Sequence, residues 1–105
     1  MIIDFHTHIF PEAIAQRTIE KLATAANIKA HSDGTLTGLK ASMQKAGVDY
    51  SVILPVVTKP SQFQSVNHYA ASINGHDSIL SFGGIHPDNE DIPQCLSFIR
   101  DLGLS

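Results

Sequence analysis

Three strand-like segments alternate with helical patterns along this chain, and the alternation strongly limits the folds that it can adopt. The segments are MIIDFHTH at the N-terminus, SVILPVV at 51–57 and SILSFGGI at 78–85. The middle segment has no regular exchange of apolar and polar residues, which is typical of a parallel strand covered on both faces. Strands that alternate with helices form parallel sheets with right-handed crossovers. The sequence therefore predicts an α/β fold made of parallel β/α units.

Four helices are expected around these strands, because apolar residues recur three or four positions apart. Thr35 or Thr37 is expected to cap the second helix, and Gly47 to end it. Asn89 or Asp91 is expected to cap the fourth. The four apolar faces consist of Ile14, Ile19, Leu22 and Ala26; Leu36, Leu39, Met43 and Ala46; Phe63, Val66, Ala70 and Ile73; and Leu96, Ile99 and Leu102.

The composition is that of one small globular domain spanning residues 1–105. Hydrophobic residues make up 43% and charged residues 16%, and the net charge is -3 with no basic run. Binding to a nucleic-acid backbone needs clustered Lys and Arg, so no nucleic-acid partner is expected. No signal peptide and no apolar run of membrane-spanning length is present, so we expect a cytoplasmic protein. Cys95 is the single cysteine, which excludes an intrachain disulfide; it lies in a helical stretch and is expected to be a small core or boundary residue.

The first strand carries a pair of candidate metal ligands. Asp4, His6 and His8 alternate with Ile3 and Phe5, so an extended chain puts the polar three on one face and the apolar two on the other. Two imidazoles so spaced lie within about 7 Å, and one metal ion can bridge them. The alternative is a half-exposed strand with both histidines in water. A sheet covered on both faces favours the metal, because unpaired ionisable groups are costly there.

With these segments in hand, the chain resembles the amidohydrolase-related family of metal-dependent TIM-barrel hydrolases. The similarity lies in DFHTHIFP at the first strand, AGVDYSVILPVV at the second and FGGIHPD at the third, and it covers residues 1–105. It implies an eight-stranded β/α barrel, of which this chain holds an N-terminal part with three strands. It also implies a divalent metal, often zinc, at the C-terminal mouth of the barrel.

By position, the resemblance implies that His6 and His8 are metal ligands. Asp4 matches an acidic residue expected to orient them, and His86 is expected to line the pocket. The family's remaining ligands and its catalytic acid lie on later strands, so no catalytic residue is assigned here. Three further histidines match no motif and are expected to be solvated: His31, His68 and His76.

The activity implied is hydrolysis of an amide or ester-like bond in a small molecule by metal-activated water, with decarboxylation as a variant. TatD-type nucleases and histidinol-phosphatase-type phosphoesterases also begin with His-x-His on a barrel strand and stay open as alternatives. A non-catalytic β/α fragment is the third alternative. With three strands of eight, we expect a truncated chain that is inactive alone, binds zinc weakly and associates with a second copy or a missing C-terminal barrel half. Alternate apolar residues of 52–57 are expected to face water.

Overall fold

The computed structural model describes all 105 residues as three β-strands and four α-helices. The strands are β1 (Ile3–Thr7), β2 (Tyr50–Ile53) and β3 (Ile79–Ser81). The helices are α1 (Glu12–Ala26), α2 (Leu36–Ala46), α3 (Phe63–Ile73) and α4 (Ile92–Asp101), and a short 3-10 turn at Pro60–Gln62 precedes α3. None of the helices has the length and apolar character needed to cross a bilayer.

The sheet is parallel throughout, with the strands in the order β1-β2-β3. The prediction of parallel β/α units is therefore confirmed. The strands are shorter than the apolar segments, since β2 ends at Ile53 and β3 at Ser81. Beyond β2, Pro55 has no N–H with which to continue the hydrogen bonding between strands. Beyond β3, the Gly83 N–H donates to the Ser105 carbonyl (2.8 Å) rather than to a strand.

Two apolar clusters hold the helices to the sheet and to each other. The cluster between the sheet and α2 and α3 consists of Ile9, Met43, Ile53, Ile73 and Ile79. The cluster between α3 and α4 consists of Phe63, Ala70, Cys95, Ile99 and Leu104. Each buried aliphatic or aromatic side chain contributes about 1.5–3 kcal/mol. The predicted apolar face of α3 and the burial of Cys95 are thus confirmed. The faces of α1 and α4 are confirmed only in part, since Ile14 and Leu96 are 37% and 55% exposed.

Helix ends follow the local sequence. The Thr35 hydroxyl accepts from the Gly38 N–H (3.0 Å), and the Asp91 carboxylate accepts from the Gln94 N–H (3.1 Å). Gly47 ends α2 with a φ of 71°, a backbone conformation that favours glycine. The structure therefore selects Thr35 and Asp91 from the two pairs of expected caps.

The expectation that the first strand is covered on both faces is wrong, since Asp4, His6 and His8 are exposed. Ile3 and Phe5 are 50% and 62% exposed, whereas Thr7 is buried. The pairing of β1 with β2 also changes register between Asp4 and Thr7. Phe5 contacts Phe82 instead, with ring centroids 6.1 Å apart.

The central strand is covered, contrary to the expectation that its alternate residues face water. Val52 and Ile53 are 3% and 2% exposed. Phe5 lies on β1 and Phe82 directly follows β3, so the contact between their rings passes over β2. Exposed apolar side chains lie on the outer strands instead, including Leu80 on β3 at 45%.

Candidate metal site

His6 and His8 converge at the C-terminal end of β1. Their Nε2 atoms lie 3.1 Å apart, the ring centroids 4.9 Å apart, and the ring planes are nearly perpendicular. Two nitrogens bound to one zinc at 2.0–2.1 Å in tetrahedral geometry lie about 3.3–3.4 Å apart. The spacing of the pair is therefore within a few tenths of an ångström of what one metal ion requires. Both residues are exposed, so solvent reaches the ring edges.

The orientation of the His8 ring is fixed by the neighbouring strand. Its Nδ1 lies 2.7 Å from the Leu54 carbonyl oxygen, and a carbonyl only accepts, so Nδ1 carries the proton. In the neutral ring this makes Nε2 an acceptor, so in the metal-free chain it accepts a hydrogen bond from His6 Nε2–H at 3.1 Å, and a metal ion bound to both rings would replace that proton. The Leu54 N–H in turn donates to the Thr7 carbonyl (2.9 Å), so pairing of β1 with β2 positions the carbonyl. Metal-binding histidines commonly donate their second ring N–H to such a group.

Asp4 lies close to the pair but contacts the backbone. Its carboxylate Oδ1 accepts from the His6 N–H at 3.2 Å. It makes no hydrogen bond to either imidazole ring. Asp4 thus steadies the chain at His6 and adds a negative charge next to it, which favours a cation at the histidine pair.

His86 is engaged in its own loop and does not join the pair. Its Nδ1 accepts from the Asp88 N–H (3.1 Å), and its backbone N–H donates to the Asn89 side chain (3.0 Å). No group of three or more His, Cys, Asp or Glu side chains lies close enough to hold a metal ion. His6 and His8 are therefore the two candidate ligands that the structure brings together, and a four-coordinate ion bound to them would need further donors.

The other three histidines are exposed, as expected of solvated side chains. His31 and His76 make no side-chain hydrogen bond. The His68 ring packs edge-on against Phe98, with centroids 5.4 Å apart. None of the three lies with the His6 and His8 pair, and they serve as matched controls for it.

Sequence reasoning missed Asn67, which holds the segment that leads to His86. Asn67 is fully buried; its Nδ2 donates to the carbonyls of Phe63 and Gly84, both at 2.8 Å. Its Oδ1 accepts from the Gly84 N–H at 2.9 Å. Asn67 follows Phe63 by four residues and precedes Ala70 by three, so helical spacing alone places this polar residue on the apolar face of α3.

An apolar cavity of about 280 Å³ lies between the loops that leave β1 and β2 and the helices α1 and α3. Phe10, Pro55, Val66 and Tyr69 are among the residues lining it. Burial raises the pKa of the Tyr69 hydroxyl, and the negative charge of Glu12 raises it further. The two imidazoles do not line this cavity, so it is separate from the candidate metal site.

No protein-family model, curated protein or solved structure matches this chain. The functional interpretation therefore rests on the geometry of the two histidines and on their surroundings.

Proposed function

We propose that this chain is a metal-binding β/α unit of the amidohydrolase type, whose His6 and His8 hold a divalent metal, with zinc preferred. The observation that carries the proposal is the 3.1 Å approach of the two Nε2 atoms, together with the bond from His8 Nδ1 to the Leu54 carbonyl. A zinc ion held by these two imidazoles would supply Lewis acidity and would make water a better nucleophile toward a small molecule. The chain's own contribution is to hold, orient and expose the two imidazoles.

The finer architecture we propose is three strands of a TIM barrel. Such a barrel has eight parallel strands, with its active site at their C-terminal ends, and His6 and His8 lie at that end of β1. The sheet leaves one edge of β1 and one edge of β3 unpaired. Phe5 and Leu80 are exposed on these outer strands. Further strands pairing with either edge would cover these side chains and bring additional ligands.

For the 105-residue chain by itself we propose metal binding without turnover. The basis is the count of donors: two imidazoles converge, and no third metal-binding side chain is near them. Catalysis of the amidohydrolase type needs a carboxylate that accepts a proton from the metal-activated water. Asp4 is bonded to the backbone of His6, and we assign it no such role.

Zinc titration by calorimetry tests the metal site. We expect weak, saturable binding by the unmodified chain, reduced roughly tenfold or more in His6→Ala and in His8→Ala, since losing a direct ligand costs at least as much as losing a group that only orients one. His31→Ala is the matched control and should bind zinc as the unmodified chain does. Equal binding by the double variant His6→Ala/His8→Ala would remove the basis of the proposal.

Assays of the zinc-loaded chain with a p-nitrophenyl ester and with bis(p-nitrophenyl) phosphate separate the enzyme classes. Absence of turnover with zinc bound agrees with the proposal for this chain. Ester cleavage that depends on His6 would mean that the two-ligand site is itself catalytic. Phosphodiester cleavage would favour the nuclease or phosphoesterase alternative.

A further inference from the structure

The apolar cavity between α1, α3 and the loops that leave β1 and β2 is built from this chain alone. Its buried lining residues include Ile9, Ile53 and Ile73. These three also belong to the cluster that joins the sheet to its helices, so the cavity lies on the helix-covered side of the sheet. In a β/α barrel the helices form the outer ring. Further strands pairing with the edges of the sheet would therefore leave the cavity open.

The size of the cavity suits a small organic molecule. Its volume is about 280 Å³, whereas a dry apolar cavity of about 150 Å³ holds one benzene ring. By the ratio of these volumes the cavity holds roughly eleven non-hydrogen atoms, which is the size of a bicyclic ring system. Ile14, Thr58 and Ser65 line the cavity and are exposed. They mark an entrance from solvent.

Charge and hydrogen bonding narrow the class of ligand. No Asp, Glu, Lys, Arg or His lines the cavity, so a charged ligand would be buried without a counter-ion, which is costly. Gln62 accepts from the Thr58 N–H and hydroxyl through Oε1 (3.0 and 2.8 Å), and its Nε2 has no partner in the chain. The Tyr69 hydroxyl also makes no hydrogen bond. Because burial and Glu12 raise the pKa of Tyr69, this hydroxyl keeps its proton at neutral pH and can donate it to an acceptor.

We propose that this cavity binds a neutral, mainly apolar molecule of roughly eleven non-hydrogen atoms, whose single acceptor oxygen receives a hydrogen bond from the Tyr69 hydroxyl. Apolar pockets with a few polar groups are the usual form of small-molecule sites. Burial of the ligand's apolar surface supplies the affinity, and the hydrogen bond selects among ligands of the same shape. His6 and His8 do not line the cavity, so this ligand is distinct from a substrate of the metal centre.

Titration of the unmodified chain with the bicyclic ketone 1-tetralone, in EDTA, tests the proposal without involving the metal site. We expect saturable binding of one molecule per chain and a higher midpoint of urea unfolding, because the unfolded chain has no cavity. Nuclear Overhauser contacts should join the ligand to the methyl groups of Ile53 and Ile73. Indane-1-carboxylate, a bicyclic anion of similar size, should not bind, since no cation lines the cavity.

Two variants separate the hydrogen bond from the space. Tyr69→Phe should weaken binding of 1-tetralone roughly threefold to tenfold and leave binding of tetralin, which has no carbonyl, unchanged. Tyr50→Phe is the control, since the chain's other tyrosine does not line the cavity. Val66→Phe fills the cavity and should abolish binding of both molecules; if it does not fold, the Tyr69→Phe comparison decides alone. Absence of saturable binding, equal binding of the anion, or unchanged 1-tetralone binding by Tyr69→Phe or by a folded Val66→Phe would overturn the proposal.

Discussion

Replacing Asn67 by Ala should destabilise the fold more than any exposed substitution in α3. The change removes three hydrogen bonds. The Phe63 carbonyl lies in α3 and still accepts from a backbone N–H of that helix. The Gly84 N–H and carbonyl, however, both lose their partner. A buried polar group left unpaired costs about 1–3 kcal/mol. Because Gly84 is half-buried, we expect a total loss of about 2–4 kcal/mol, a large part of the roughly 5–15 kcal/mol of a typical domain.

Urea unfolding followed by circular dichroism measures this loss as a lower midpoint at an unchanged slope. Asn67→Leu keeps the branched arrangement of side-chain heavy atoms and leaves no cavity; it should lose at least a comparable amount, because the same hydrogen bonds are lost and its methyl groups are bulkier than the amide. Gln64→Ala, an exposed substitution in the same helix, is the control and should change stability by less than about 0.5 kcal/mol. A loss in Asn67→Leu no larger than in the control would refute the reasoning.

Three further predictions concern local contacts. A Cβ on Gly83 would lie 2.5 Å from Cγ2 of Ile99, so Gly83→Ala should cost about 1–3 kcal/mol, and adding Ile99→Ala should make the cost of the glycine change smaller in a double-mutant cycle. Thr35→Ala removes the cap on the Gly38 N–H and should lower the urea-derived stability by about 1 kcal/mol. Hydrogen bonds from the backbone and then the side chain of Thr35 lower the pKa of the Asp33 carboxyl. The carboxylate therefore stabilises the fold above its ordinary pKa of about 4, and this stabilisation is lost as the pH falls through the lower folded pKa. The stability difference between the unmodified chain and Asp33→Ala, measured from pH 7 downward, should accordingly vanish in strong acid; a difference that grows in acid would contradict this.

The order and direction of the strands were predictable because the signals are local and repeated. Apolar residues at helical spacing, such as Met43 and Ile73, are buried where the spacing requires. Caps at Thr35 and Asp91 follow from side-chain chemistry within one turn. Strand length was not predictable from apolar content, because pairing ends where the backbone turns away, as it does beyond Ile53.

The candidate site was predictable only in part. The spacing of His6 and His8 predicted that both imidazoles lie together, and they do. The carbonyl that orients His8 belongs to Leu54, 46 residues away, and no local pattern indicates it. The exposure of Ile3 and Phe5 was not predictable either, because the alternation of residue types does not show which elements cover each face of the sheet.

The central claim is that His6 and His8 bind a divalent metal through Nε2, and nitrogen-15 NMR of the imidazoles during a zinc titration tests it most directly. The Nε2 signals of His6 and His8 should shift together, while the Nδ1 of His8 keeps its proton because it donates to the Leu54 carbonyl. The signals of His31 and His76, which are exposed and apart from the pair, should not move with them. Unchanged Nε2 signals for the pair, or equal shifts in all of these histidines, would contradict the account.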